Sequence, residues 1–269
     1  MANTTSMPVP TRPAPRRLAT PRTITALMIR EMVTSYGRSP GGYVWAVLEP
    51  VAAISLLAFA FSIAFRAPSL GNSFALFYAT GYLIYMLFHD IANRTATALR
   101  FSQSLLTFAP VTWLDALLAR YLLNLLTHFM VIIAVLGTML TALDSHAIPD
   151  LPRIANALAM ASALAFGTGI LNAYLFMAFP AWERIWMVLT RPLFIISGVF
   201  FLFEDLPDWV QQFLWFNPIF HATGEMRHGI FPTYDASYVS SPFVYGVGMA
   251  LAALGLMLLS RHADDLIHK

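Results

Sequence analysis

Cysteine is absent from this 269-residue chain, and lysine occurs once, at the last position. Without thiols there can be no disulfide, zinc–thiolate centre or cysteine nucleophile, while the redox compartment stays open. Charge is scarce as well: 11% of residues are charged and 58% hydrophobic, with a mean hydropathy of +0.65. That composition excludes an ordinary soluble domain. No glycine loop ending in Lys-Ser/Thr, no HExxH and no GxSxG is present. The chain therefore shows neither an ATPase site of its own nor a familiar hydrolase site, and any energy source must be external. No carboxylate lies squarely in mid-span and no inverted repeat is visible, which argues against a proton-driven carrier. Residues 1–21 lack the apolar stretch of a secretory signal, so the first apolar span is expected to be retained. A pI near 9 would suggest nucleic acid in a soluble protein. Here the basic residues sort by membrane side, and no nucleic-acid partner is expected.

What is present is apolar helix. The pattern predicts an all-α integral membrane protein: a disordered basic tail over 1–20, an amphipathic helix over 21–37, six spans within 43–260, and a charged tail over 261–269. Thr20 and Pro21 open the first helix and Gly37 closes it, with Ile24, Leu27, Met28 and Met32 along one side. Accompanied by Arg22, Arg30 and Arg38, it reads as a helix lying in the membrane interface; packing on another subunit is the alternative. Full-length spans are expected near 43–65, 73–92, 117–143, 154–179 and 243–259. The fourth carries Gly167 and Gly169, which permit close helix approach. Six spans put both termini on one side. The positive-inside rule makes that side cytosolic, since it collects Arg22, Arg30, Arg94, Arg100, Arg184 and Arg191, whereas the other holds Arg66, Arg153 and Arg227.

The remaining span is the organising irregularity. Its apolar run, 192–203, would rise only about 18 Å as a helix, against a hydrocarbon core of roughly 30 Å. An interfacial helix with Trp182, Ile185, Trp186 and Leu189 on one face is expected to feed it; if the span's own helix begins earlier, around Ile185, Arg191 lies within it and must snorkel to the cytosolic headgroups or face protein. Glu204, Asp205 and Asp208 follow at once, and then two short aromatic-rich helices. Pro207 is expected early in the first, Asn217-Pro218 to cap the second and Gly229 to stop it. This predicts a re-entrant or interfacial hairpin on the outer face, bearing Trp209, Trp215, Phe216, Glu225 and Arg227.

Candidate site residues fall in three groups. Tyr78, Tyr82, Tyr85 and His89 share a narrow stripe of the second span, at i, i+4, i+7 and i+11. Such rings suit a sliding carbohydrate, offering a flat face and a polar edge; helix packing with hydroxyls bonded across the bundle explains them equally. Between the second and third spans, an amphipathic piece from Phe101 to Phe108, ended by Ala109-Pro110, is too apolar for a free loop and is expected to dock on a cytosolic partner. His221, Glu225 and His228 share one face of the outer helix; a metal is conceivable there, but a structural face is the preferred reading and no metal is assigned. A glycan-processing enzyme using Glu225 with either histidine is the alternative of another class.

The order of these parts, with RSPGGYVWAVLEP before the first span and SGVFFLFEDLPDW…FNPIFHATGEMRHGIFP before the last, resembles the type-2 ABC export permeases. More narrowly it is similar to the permeases of Gram-negative capsular polysaccharide export. The resemblance implies an inner-membrane homodimer, two copies of a separate ATPase carrying ATP and Mg2+, a lipid-linked polysaccharide as cargo, and periplasmic and outer-membrane export partners. It also implies that Phe101, Ser104, Leu105, Leu106, Phe108 and Pro110 belong to a coupling helix seated in the ATPase. The N-terminal helix, with Arg22 and Arg30, becomes a gate helix beside substrate access. O-antigen, teichoic acid, lipid or drug export on the same architecture is the alternative.

Overall fold

The structure, a computed structural model, describes residues 19–36, 41–106, 111–142 and 148–267. The described residues are mostly helical, with no strand among them. In chain order the helices are α1 (Ala19–Tyr36), α2 (Gly42–Ala64), α3 (Phe74–Ala96), α4 (Ala98–Leu106), α5 (Trp113–Ala142), α6 (Leu151–Ala178), α7 (Pro180–Phe194), α8 (Asp208–Leu214), α9 (Pro218–Ile230) and α10 (Ser241–Ile267). A π-helical turn, Ile195–Val199, extends α7. Among the described residues, five helices are long and apolar enough to cross a membrane: α2, α3 with α4 as its continuation, α5, α6 and α10.

Helix α6 sits at the centre, packed on α3, α9 and α10. Its small residues make this possible. A Cβ on Gly167 would fall 2.1 Å from the Gly248 carbonyl oxygen of α10, one on Gly248 would fall 2.9 Å from the Ala163 oxygen, and one on Gly255 would fall 2.6 Å from the Leu171 nitrogen. Here backbone meets backbone, the close approach that dispersion rewards in lipid, where no hydrophobic force separates helix from tail. On the opposite side Gly169 admits the Thr95 side chain of α3, which a Cβ would meet at 2.7 Å. The expectation from Gly167 and Gly169 thus has its partners, on two different helices.

Several boundaries differ from expectation. The 182–189 piece and the short span are one continuous helix, because Pro192 lies inside α7 without ending it. Up to Ile196 this gives about 17 helical residues and a rise of about 26 Å. It breaks at Ser197 and Gly198, whose φ of +77° only glycine adopts freely. Pro207 precedes α8 as its N-cap rather than sitting inside it. Asn217 caps α9 as expected, its side chain accepting from the Ile219 amide at 3.1 Å, with Pro218 first in the helix. Gly229 does not stop α9, which runs on to Ile230. Its missing Cβ instead leaves room for the first turn of α6, where Ile154 would be met at 2.9 Å, and its carbonyl accepts from the Asp150 amide at 2.7 Å. Helix α1 begins at Ala19, one residue before the expected cap, α4 begins three residues before Phe101, and α10 carries helix through most of the expected 261–269 tail. Arg38, Gly37, Phe108, Pro110 and the 1–18 part of the tail lie outside the described residues.

Candidate functional site

The candidate residues gather at the two ends of the bundle and along the seam between them. At one, α1 lies along α5 and is joined to it by a buried ion pair: Arg120 Nε is 2.9 Å from Glu31 Oε1, with both side chains about nine-tenths buried. The Nε proton does not point at the carboxylate, so the attraction is coulombic rather than a directed hydrogen bond. Burial raises the Glu31 carboxyl above its ordinary range despite Arg120, Arg94 and Arg30 nearby. The Arg120 guanidinium also lies over the Phe101 ring of α4, 4.4 Å from its centroid, and Arg30 of α1 approaches the same ring at 5.7 Å. One cluster therefore ties α1, α4 and α5 together. The other flank of α4 is tied elsewhere: Arg100 donates to Glu183 of α7 at 2.5 Å and to the Phe176 carbonyl of α6. Short helix α4 is thereby fastened to both halves of the bundle.

Of the expected docking residues, Phe101 and Ser104 are exposed, Leu105 and Leu106 are half-buried, and Leu106 packs with Leu117 of α5. The face of α4 open to a partner is carried by Arg100, Phe101, Gln103 and Ser104. Arg22 and Arg30 sit on α1 as expected, exposed and half-buried respectively.

The tyrosine stripe of α3 lies against α7. Tyr85 donates to the Thr190 carbonyl at 2.7 Å, and its ring meets Phe194 edge-on at 5.0 Å. Tyr78 is enclosed by Phe61, Phe74, Phe77 and Phe200. His89 stacks on Tyr85 at 5.6 Å and accepts from Asn93 Nδ2 at 3.0 Å, while Asn93 Oδ1 accepts from the Trp186 indole at 2.8 Å. Asn93, one further helical step along, extends the stripe, and Trp182 adds a bond to Asn172 of α6 at 2.9 Å. In the single chain the stripe is the seam that holds α7. Tyr82 alone of the four combines a half-open ring with an edge contact to Phe194, at 6.1 Å.

At the opposite end, α8 and α9 close over the break in α7. Arg227, 1% exposed, donates to the carbonyls of Phe201 at 2.8 Å and Val199 at 3.1 Å, and its guanidinium lies 4.2 Å from the Phe77 ring centroid. These bonds go to carbonyls that the interrupted helix leaves without partners. Asn217 adds a bond to the Ile196 carbonyl at 2.8 Å. His221, fully buried, has both ring nitrogens occupied: Nε2 donates to the Trp215 carbonyl at 2.7 Å and Nδ1 accepts from the Ser240 amide at 3.1 Å. Burial pushes its pKa down, so it stays neutral. Glu225 accepts from Asn156 at 2.9 Å, and His228 takes a separate bond from Arg153 at 3.1 Å. The three do not converge, and among the described residues no group of three His, Asp or Glu could hold a metal ion. Trp209, Trp215 and Phe216 are exposed; Trp215 and Phe216, with Phe203, Asp208, Gln211 and Gln212, line a recess of about 670 Å³.

The ABC-2 type transporter family matches residues 22–231, from the first turns of α1 to the end of α9. The chain belongs to that family. Among curated relatives, the polysialic acid transport protein KpsM of Escherichia coli is 27% identical over 245 residues, covering 91% of this chain and 95% of that protein. The capsule polysaccharide export inner-membrane protein BexB of Haemophilus influenzae is 30% identical over 240 residues, covering 88% and 90%. The protein CtrC of Neisseria meningitidis serogroup B, named likewise, is 27% identical over 242 residues, covering 89% and 91%. In this ABC-2 chain the sequence reading missed Glu31, Arg120 and Asn93. Arg120 carried a usable signal, an arginine inside an otherwise apolar span, which demands a partner.

Proposed function

We propose that this chain is the membrane subunit of an ATP-driven exporter that moves lipid-linked capsular polysaccharide across the bacterial inner membrane, working as a homodimer with two copies of a separate ATPase. The observation that carries the reading is the breadth of similarity: relatives from three organisms, each aligned over 88–91% of this chain, bear names for polysialic acid transport or capsule polysaccharide export. In this reading α7 makes the sixth span, a short one, since about 17 helical residues precede its break, at the lower end of what crosses the hydrocarbon core. Helix α1 is the cytosolic interface helix, α8 and α9 form the outer re-entrant hairpin, and both termini are cytosolic. ATP and Mg2+ belong to the partner, and periplasmic and outer-membrane proteins continue the route.

The mechanism follows from how α4 is held. A nucleotide-driven push on its open face reaches α1 and α5 through Phe101 and Arg120, and α6 and α7 through Arg100. Motion of α7 in turn loosens the seam on α3 and uncovers the tyrosine stripe, where Tyr82 is already half-open. Aromatic faces with hydroxyl edges then suit a passing sugar chain. A glycan-processing reading finds less in the geometry, because Asn156 occupies Glu225 and backbone groups occupy both nitrogens of His221. The test is to replace Phe101 with Asp and Ser104 with Arg and purify the complex. Loss of the ATPase, with the membrane chain still folded and surface capsule gone, is expected. An ATPase retained at normal yield overturns the assignment of α4. Normal capsule in a strain lacking this chain overturns the function.

A further inference from the structure

Beside the α4 junction, α2, α3 and α5 enclose a cavity of about 300 Å³. It lies about one and a half to two turns from the α4-side ends of α2 and α3, the depth at which headgroup gives way to acyl chain. Its lining carries both signs of charge. Glu49 comes from α2, Asp90 and Arg94 from α3, and His128 of α5 stands 3.4 Å from Asp90. Glu49 and Arg94 are exposed and make no ion pair among the described residues. Thr127 borders this cavity and also a second recess of about 430 Å³ between α1 and α5, whose other walls are almost wholly apolar: Met28, Ile29, Met32, Leu123, Leu126 and Met130 among them. A charged pocket opening beside a greasy groove has the outline of an amphiphile.

We propose that these two recesses together hold one phospholipid of the phosphatidylethanolamine type, with its headgroup among Glu49, Asp90 and Arg94 and an acyl chain in the α1–α5 groove. The charges select the headgroup. Two carboxylates favour an ammonium, and one guanidinium beside them, able to bond two oxygens at once, suits the phosphate. An acidic phospholipid or an acidic glycolipid would bring its charge against Glu49 and Asp90, which disfavours both. The methionines adapt to a flexible chain. The lipid so bound packs between α1 and α5 alongside the Glu31–Arg120 pair and helps to fix α1 on the bundle. The proposal does not depend on the cargo, because it concerns a lipid retained by the resting protein.

The test is to reconstitute the full permease–ATPase complex in nanodiscs of equimolar phosphatidylethanolamine and phosphatidylglycerol, re-purify it in mild detergent and quantify the retained lipid by mass spectrometry. Phosphatidylethanolamine is expected to be enriched over phosphatidylglycerol. E49Q is expected to lower that enrichment about ten-fold, one charge-assisted contact, whereas R94Q, which removes the partner of the phosphate both lipids share, is expected to lower the total lipid retained about ten-fold while leaving the preference for phosphatidylethanolamine. Both residues are exposed, so neither change disturbs the core. M130W, which fills the groove from its open side, is expected to displace the lipid without altering the charges. Equal retention of the two lipids, preference for phosphatidylglycerol, or full enrichment in E49Q and M130W would each overturn the assignment. Capsule output is not read in this assay, so a negative result here leaves the export function standing.

Discussion

The buried pair between α1 and α5 makes a quantitative prediction. At the roughly 4 Å between charge centres of a contact pair, the attraction is about 4 kcal/mol at an effective dielectric of about 20. Against it stands a desolvation cost of several kcal/mol per ion. Glu31 and Arg120 are both about nine-tenths buried, and burial outweighs three nearby arginines in setting the Glu31 carboxyl. The pair should therefore contribute little net stability while being costly to break. Glu31→Leu and Arg120→Leu are each expected to lose about 3–5 kcal/mol, because each strands a charge in the core. The double replacement is expected to fall within about 1 kcal/mol of wild type, giving an interaction energy of several kcal/mol in the cycle. For a chain of this size the single losses correspond to a drop of about 10 °C in the unfolding midpoint. Thermal unfolding in nanodiscs, with hydrogen exchange of the α1 amides alongside, measures both. The reasoning is refuted if the double variant is as unstable as either single one, or if each single change costs under about 1 kcal/mol. A double variant that is stable yet poor in coupling ATP hydrolysis to export would show that the charges serve transmission rather than folding.

The same glutamate sets a pH dependence. Its carboxyl is raised in the docked state, so its contribution is complete below the ordinary value of 4.5 and is lost as pH rises through the raised value; protease nicking of α1 should increase across that window, and a flat profile in wild type matching that of Glu31→Gln would count against it. Gly248→Leu should cost at least about 1–3 kcal/mol and lower the folded yield, since its side chain would enter the Ala163 carbonyl; unchanged thermal stability would show that α6 and α10 can part. Arg227→Lys keeps the charge but cannot span the carbonyls of Val199 and Phe201, and a loss of about 1–3 kcal/mol is expected in the same unfolding assay. Leucine at Tyr78, Tyr82 and Tyr85 should slow export while the chain stays folded, and unchanged capsule output would leave the stripe a packing seam alone.

Legibility from sequence tracked the kind of signal each element carries. Five long spans were readable because about 20 apolar residues in a row have few other physical meanings. Asn217-Pro218 was readable because a cap is a local device. Helix α7 was divided too early: Arg184 and Arg191 broke the apolar run, yet both side chains are exposed on a helix that continues beneath them. Gly229 was misplaced for a related reason. A glycine near a helix end signals either a left-handed stop or a close neighbour, and only the position of Ile154 distinguishes them. The tyrosine stripe was seen as a stripe, but what it faces depends on how α7 folds back, which periodicity does not encode. The Glu31–Arg120 pair joins residues 89 positions apart, beyond the reach of any local pattern.

The seam between α6 and α10 also bears on how the molecule could move. Gly167, Gly248 and Gly255 set main chain directly on main chain, leaving no side chains whose rotamers could shift to accommodate a slide or a roll. Such a junction behaves as a keel. Any cyclic deformation has to be taken up by α1, α2 and α7, whose contacts with the rest of the bundle run through rings and long polar side chains, so one wall of the protein is fixed and the other hinged.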